Sequence, residues 1–286
     1  MNICVVTDDN SGFTKDEIAS FNNLYVLRMP ILIDGECFFE NQTIDAATFY
    51  KKLEICDVKT SQPSPGEVVL LWEKLLNKYD QVIHIPMSSG LSASCDSAKS
   101  LSMDFKGKVF VVDNHRISVT LKSSVYDALH LIKEGLDGEK IKNLLEEEGF
   151  NSSIYIMVDT LKYLKKGGRI TPAAALVGDA LHLKPVLSIF GLKLDAYAKC
   201  LGTKKAKQCM FDAIDKDLLN KFKNFSKEDL VFGIAYTSDL NTVLEFKKEV
   251  MEHYNLLDVE VNPLSLSVAT HIGPGALALT LSYRIK

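Results

Sequence analysis

The sequence predicts an α/β protein of two domains, an N-terminal domain (1–150) around a mainly parallel sheet and a C-terminal domain (151–286) around a mixed sheet. Two observations carry this expectation. Short β-branched runs alternate with helical patterns through the first half, the signature of strand–helix–strand units. In the second half, Lys184 to Ile189 and Leu192 to Ala198 flank Phe190-Gly191, a hairpin pattern that brings antiparallel pairing into the sheet. At 286 residues with 47% hydrophobic and 24% charged residues, the chain has the length and composition of a globular protein with a substantial core.

Ile3 to Val6 reads as the first strand and ends at Thr7, Asp8 and Asp9. Paired aspartates at a strand's C-terminal edge could hold Mg²⁺, but no second acidic cluster or phosphate-binding glycine loop follows, and Asp-Asp-Asn-Ser-Gly is also a turn and cap sequence. Leu24 to Ile33 reads as extended, Asp34-Gly35 as a hairpin turn, Glu36 to Phe39 as the returning strand and Asp45 to Leu53 as a helix. Lys59 to Glu67 is a proline-stiffened loop offering Thr60, Ser61, Gln62 and Ser64, followed by an amphipathic helix from Gly66 to Leu76.

Val82, Ile83 and Ile85 form the next strand; Pro86 ends it, and Ser88, Ser89 and Gly90 turn into a helix expected to begin near Leu91 or Ser92. Unpaired N–H groups at a helix start favour an anion, and Ser88, Ser89, Ser92 and Ser94 surround that point with hydroxyls. The competing reading is one capping serine among solvated turn residues. Val109 to Val112 is a further strand, and Ser118 to Lys133 and Gly138 to Glu148 are helices.

In the second half, Ser153 to Val158 is a strand, Thr160 to Lys166 a short helix, and Lys165 to Ile170 a basic glycine turn before an Ala-rich helix at Pro172 to Leu181. Arg169 on that turn has the planar fork that clamps a carboxylate or phosphate. Lys204 to Phe222 and Leu240 to His253 read as helices, and Leu230 to Tyr236, Leu256 to Val261 and Leu277 to Tyr283 as strands. Val268 to Ala276 reads as a glycine-proline turn holding His271, where backbone can approach a ligand closely.

Net charge of −4 with scattered Lys and Arg disfavours nucleic-acid binding. No secretion signal or membrane-length apolar run is visible, so a cytoplasmic protein without stable membrane insertion is expected. The six cysteines show no Cys-x-x-Cys spacing and the six histidines no i, i+4 pair, so neither a disulfide framework nor a metal site is expected.

Five segments taken together resemble the DegV family of bacterial fatty-acid-binding proteins. They are Thr60 to Gly66, Ser88-Ser89-Gly90-Leu91-Ser92, Leu164 to Ile170, Leu183-Lys184-Pro185, and Thr270 to Ala276. The resemblance implies one long-chain fatty acid in the cleft between the two domains. It assigns the carboxylate to Thr60 and Ser92, and it places Arg169 and His271 near the head group, with Ser61, Ser88, Ser89 and Gly273 in the same turns. It also implies a partner, a fatty-acid kinase subunit that uses ATP and Mg²⁺ to make the acyl phosphate for phospholipid synthesis, and no cofactor or catalysis in the carrier itself. Where the family commonly has Gly-Thr-Tyr after the Leu-Ser pair, this chain has Ala93, Ser94 and Cys95, and its first-strand motif is Asp8-Asp9-Asn10.

The enzyme alternative is a serine acyl hydrolase with Ser92 or Ser89 as nucleophile and His271 as base; it lacks the Gly-x-Ser-x-Gly elbow. Phosphoryl transfer by this chain would need a nucleotide loop that the sequence does not contain.

Overall fold

The computed structural model describes residues 1–176 and 183–285. The N-terminal half runs through β1 (Ile3–Asp8), α1 (Lys15–Ala19), β2 (Leu24–Leu27), β3 (Ile31–Ile33), β4 (Glu36–Phe38), α2 (Ala46–Ile55) and β5 (Val58–Thr60). It continues with α3 (Pro65–Leu76), β6 (Gln81–Ile85), α4 (Ser94–Ser102), β7 (Val109–Val111), α5 (Val119–Lys133) and α6 (Gly138–Glu147). Its main sheet has the order β2-β1-β6-β7 with every pair parallel, as the strand–helix alternation predicts.

One stretch behaves differently from its sequence reading. Leu24 to Ile33 is not a single extended run: β2 joins the parallel sheet, whereas β3 pairs antiparallel with β4 and β5 in a separate three-stranded sheet. Pro30 sits at the break, where a missing N–H would interrupt a ladder. Asp34 and Gly35, both at positive φ, turn the β3–β4 hairpin. This small sheet carries Thr60 at the end of β5 and so fixes the start of the proline-stiffened loop. Ser64 and Glu67 then close a capping box on α3, with Pro65 in its first turn.

The C-terminal half contains β8 (Ser152–Met157), α7 (Lys162–Gly167), α8 (Pro172–Ala175), β9 (Leu183–Ile189), β10 (Asp195–Leu201) and α9 (Thr203–Asn220). β11 (Leu230–Tyr236), α10 (Leu240–Tyr254), β12 (Glu260–Pro263), α11 (Leu266–Ile272) and β13 (Leu277–Tyr283) complete it. The sheet order is β10-β9-β8-β13-β11-β12; β11 and β12 pair in parallel and the other neighbours antiparallel, so the sheet is mixed. Of the helix expected over Pro172 to Leu181, the first turn is α8; residues 177–181 lie outside the described residues.

Three boundaries are corrected. The strand expected over Leu256 to Val261 starts at Glu260, because Asn255 ends α10 in the left-handed region and the next residues only connect. α4 starts at Ser94 rather than Leu91 or Ser92. Leu91 and Ser92 both donate to the Ser88 carbonyl in a tight turn, and the Ser92 hydroxyl accepts the Ser94 N–H at 3.2 Å. His271 lies in the last turn of α11, which Ser265 caps, rather than in the glycine turn that follows.

α5 joins the two halves. It packs on β1 and β6 of one sheet and on β11, β12 and β13 of the other. Its buried Leu121, Val125 and Ala128 share one apolar cluster with Val5 and Ile83 on one side and Ile154 and Ala278 on the other. A helix buried on so many faces is read as a central core element. Lys122 on α5 pairs with Glu17 at 2.6 Å and Glu260 at 2.7 Å, tying α1 to β12. Among the described residues, no helix is long and apolar enough to cross a membrane.

Candidate functional site

The C-terminal ends of β1 and β6 lie side by side, and in open α/β sheets that edge collects ligands. The loops leaving these strands, the β5 loop, α7 with the turn after it, the β9–β10 connection and α11 enclose a cavity of about 290 Å³. Its wall is mainly apolar, with Met29, Ile117, Leu164, Ile189, Leu194 and Ile272 among its lining residues. The polar groups of the lining include Thr60, Ser61, Ser92, Arg169 and His271, brought together from segments that are far apart in the chain.

The Thr60 hydroxyl and His271 Nε2 are hydrogen-bonded at 2.8 Å, coupling the β5 loop to α11. Arg169 donates from Nε to the Leu91 carbonyl at 3.3 Å and from Nη1 to the Gly167 carbonyl at 2.5 Å. A guanidinium carries five N–H donors, so others remain for a ligand. Ser92 accepts from Ser94, and its own proton has no acceptor among the described residues. Gly167 is required at its position: a Cβ there would lie 2.1 Å from His271 Nδ1.

Burial, with Arg169 nearby, holds the His271 pKa down to about 4, so the imidazole is neutral at pH 7. In the unfolded chain it titrates at 6.5. Above that pH both states are neutral; below it the unfolded chain takes the proton first, and stability is lost as pH falls towards the folded value. His271→Gln is therefore expected to flatten the fall in unfolding free energy between pH 6.5 and 4 by roughly 3 kcal/mol, measured by urea denaturation across that range. An unchanged pH slope would show that His271 is solvated.

The other sequence candidates are engaged in structural contacts. Ser88 is buried, donates to the Gly191 carbonyl and accepts the Gly90 N–H, so its hydroxyl is spent on holding two turns together. Ser89 donates its backbone N–H to Asp113. Gly273, at φ +80°, packs on the Tyr163 ring and accepts from Thr237. None of the three lines the cavity. Asp8 accepts from the N–H groups of Asn10 and Met87, and Asp9 from that of Met29. Burial raises the pKa of Asp8 to about 6 and pushes Asp9 well above the usual range, which suits loop-holding better than metal binding. No group of three or more metal-ligating side chains occurs among the described residues. The hydrolase alternative lacks its central couple among the described residues, where His271 Nε2 is bonded to Thr60 and Ser92 has no hydrogen bond to a histidine.

The sequence reading missed Asn10 and Ser267, both in the cavity wall. Asn10 follows the aspartate pair at the end of β1, a position that could have pointed to it. Ser267 gave no signal while α11 was read from its glycine turn alone.

The model of the DegV family, described as an uncharacterised protein family, matches residues 2–284. A DegV domain-containing protein of Listeria monocytogenes is 30% identical over 292 residues, covering 99% of both chains. The structure of a fatty-acid-binding DegV family protein from Thermus thermophilus is similar at TM-score 0.88 and 28% identity, over 99% of this chain and 100% of that one. The structure described as DegV, a fatty acid binding protein, from Bacillus subtilis is similar at TM-score 0.86 and 27% identity, over 99% of this chain and 100% of that one. Matched in this way almost from end to end, the chain belongs to the DegV family.

Proposed function

We propose that this chain binds one long-chain fatty acid in the cavity and presents its carboxylate to a separate ATP-dependent fatty-acid kinase. The observation that carries the reading is the convergence of Thr60, Ser92, Arg169 and His271 on a cavity whose remaining wall is mostly apolar. Such a cavity fits an amphiphile with one charged end. Thr60 and Ser92 donate hydroxyl hydrogen bonds to the carboxylate, Arg169 supplies the opposite charge, and His271 orients Thr60.

Burying an acyl chain contributes about 0.8 kcal/mol per methylene, so roughly fifteen carbons supply on the order of 10 kcal/mol before ordering costs. Each hydrogen bond to the carboxylate nets about 1.5 to 3 kcal/mol. Affinity therefore comes from the tail and orientation from the head-group residues. The relatives named for fatty-acid binding support the ligand class. The kinase partnership rests on the family resemblance alone; in this reading ATP and Mg²⁺ belong to the partner, and the carrier needs no cofactor.

Mass spectrometry of the purified protein, first native and then after denaturation and extraction, tests the ligand. One stoichiometric fatty acid is the expected result. A protein that arrives empty and takes up no added fatty acid overturns the reading. Acyl phosphate formed by an added kinase only in the presence of this chain tests the partnership.

A further inference from the structure

Besides the carboxylate cluster, the wall of the cavity holds a second polar pair, Asn10 and Ser267. Both side chains are buried, at 2% and 6% exposure. Ser267 and His271 are four residues apart on α11, so they lie on one helical face with about 6 Å of rise between them. The pair therefore sits about one helical turn along α11 from His271. A wall designed only for a hydrocarbon tail gains nothing from polar atoms there.

The hydrogen bonds of the pair are unevenly satisfied. Asn10 Oδ1 accepts from the hydroxyls of both Ser265, at 2.7 Å, and Ser267. One N–H of the same amide lies 3.1 Å from the Met87 sulfur, a weak acceptor, and the other faces the Asp8 carboxylate. This orientation of the amide follows from chemistry, because a thioether cannot donate to Oδ1. With both serine protons committed to Asn10, the 3.2 Å contact between Ser265 and Ser267 holds no proton. Ser265 still accepts from the Val268 N–H, but Ser267 Oγ has lone pairs with no donor among the described residues. Backbone bonds clamp Asn10 in place: its N–H donates to the Asp8 carboxylate, and its carbonyl accepts from the Ser118 N–H. The wall thus offers one open acceptor beside one weakly held donor, which is the complement of a hydroxyl group.

We propose that the acyl chain this cavity prefers carries a hydroxyl group, which donates to Ser267 Oγ and accepts from the Asn10 amide at a distance from the carboxylate of about one helical turn along α11. This rests on the fatty-acid reading above and narrows its ligand class. The hydroxyl replaces the Met87 sulfur as partner of the Asn10 N–H.

The test is a native mass-spectrometric competition on delipidated protein. It uses octadecanoic acid and its isomers hydroxylated at successive carbons from the carboxyl end. One hydroxylated isomer is expected to be retained about ten-fold over the unsubstituted acid, the factor that one or two net hydrogen bonds supply. Ser267→Ala and Asn10→Leu are each expected to erase that ratio. The ratio is read within one sample, so a general loss of stability does not imitate the effect, and Ser267→Ala serves if Asn10→Leu fails to fold. Retention of the unsubstituted acid as well as or better than every isomer overturns this inference and leaves the fatty-acid reading standing. Uptake of none of the acids overturns both.

Discussion

Replacing Arg116 by alanine is expected to lower the unfolding free energy by about 3 to 5 kcal/mol, measured by chemical denaturation at pH 7. Arg116 is 2% exposed, yet among the described residues no carboxylate lies in hydrogen-bonding contact with it. Its guanidinium donates to the carbonyls of Glu148 at 2.8 Å, Gly149 at 3.1 Å and Asn151 at 3.4 Å, and to the Ser124 hydroxyl at 3.1 Å. These carbonyls follow the C-terminus of α6, the negative end of its dipole, so the charge meets partial charges already in place. Arg116 thereby pins the connection between α6 and β8 against α5.

Alanine would take the guanidinium donors from carbonyls that keep only the Asn151 and Tyr283 N–H groups and the Ser152 hydroxyl, and it would open a cavity; both effects cost free energy. Arg116→Lys is expected to recover little, because an ammonium cannot reach the same acceptors in a planar fork. Asp127 on α5 reports on the same region: burial raises its pKa to about 7, with Arg116 as the largest opposing influence. A loss below about 1 kcal/mol in Arg116→Ala would mean that water replaces the guanidinium without penalty.

Ala93→Trp is expected to reduce fatty-acid retention by ten-fold or more while leaving the unfolding free energy within about 0.5 kcal/mol of the parent. Ala93 lines the cavity but is itself exposed. Its φ of −71° and ψ of −4° are open to any L-residue, and it makes no side-chain cap that a substitution could remove. An indole there intrudes on the ligand without disturbing the core. Excluding even two methylenes forfeits about 1.6 kcal/mol, more than a factor of ten in affinity. Fatty-acid content measured after extraction, beside a denaturation curve, separates the two effects. Full retention in a folded Ala93→Trp protein would place the ligand somewhere other than this cavity.

The strands were legible because their patterns are local. Ile3 to Val6, Leu230 to Tyr236 and Leu277 to Tyr283 are runs with turn signals at their ends, and the structure places strands at each. Where a boundary depended on a hydrogen bond from another segment, the local pattern misled. Pro30 and the Asp9 carboxylate on the Met29 N–H divide what reads as one strand into members of two sheets. The start of α4 is delayed for a local reason, the Ser92 hydroxyl accepting the Ser94 N–H.

The sequence by itself determined the strand–helix alternation, the two kinds of sheet, and the hydroxyl-bearing and arginine turns whose order marks the DegV family. These depend on residue type and short spacing, which the chain carries locally. Tertiary structure decided which of those residues share a wall. It brought Thr60 against His271 and Arg169 against Leu91, turned Ser88, Ser89 and Gly273 to structural contacts, and added Asn10 and Ser267. The physical reason is that a cavity is what remains when two sheets pack across α5. Its lining is set by side-chain volumes and buried hydrogen bonds contributed from distant segments, and no local window of sequence contains that sum.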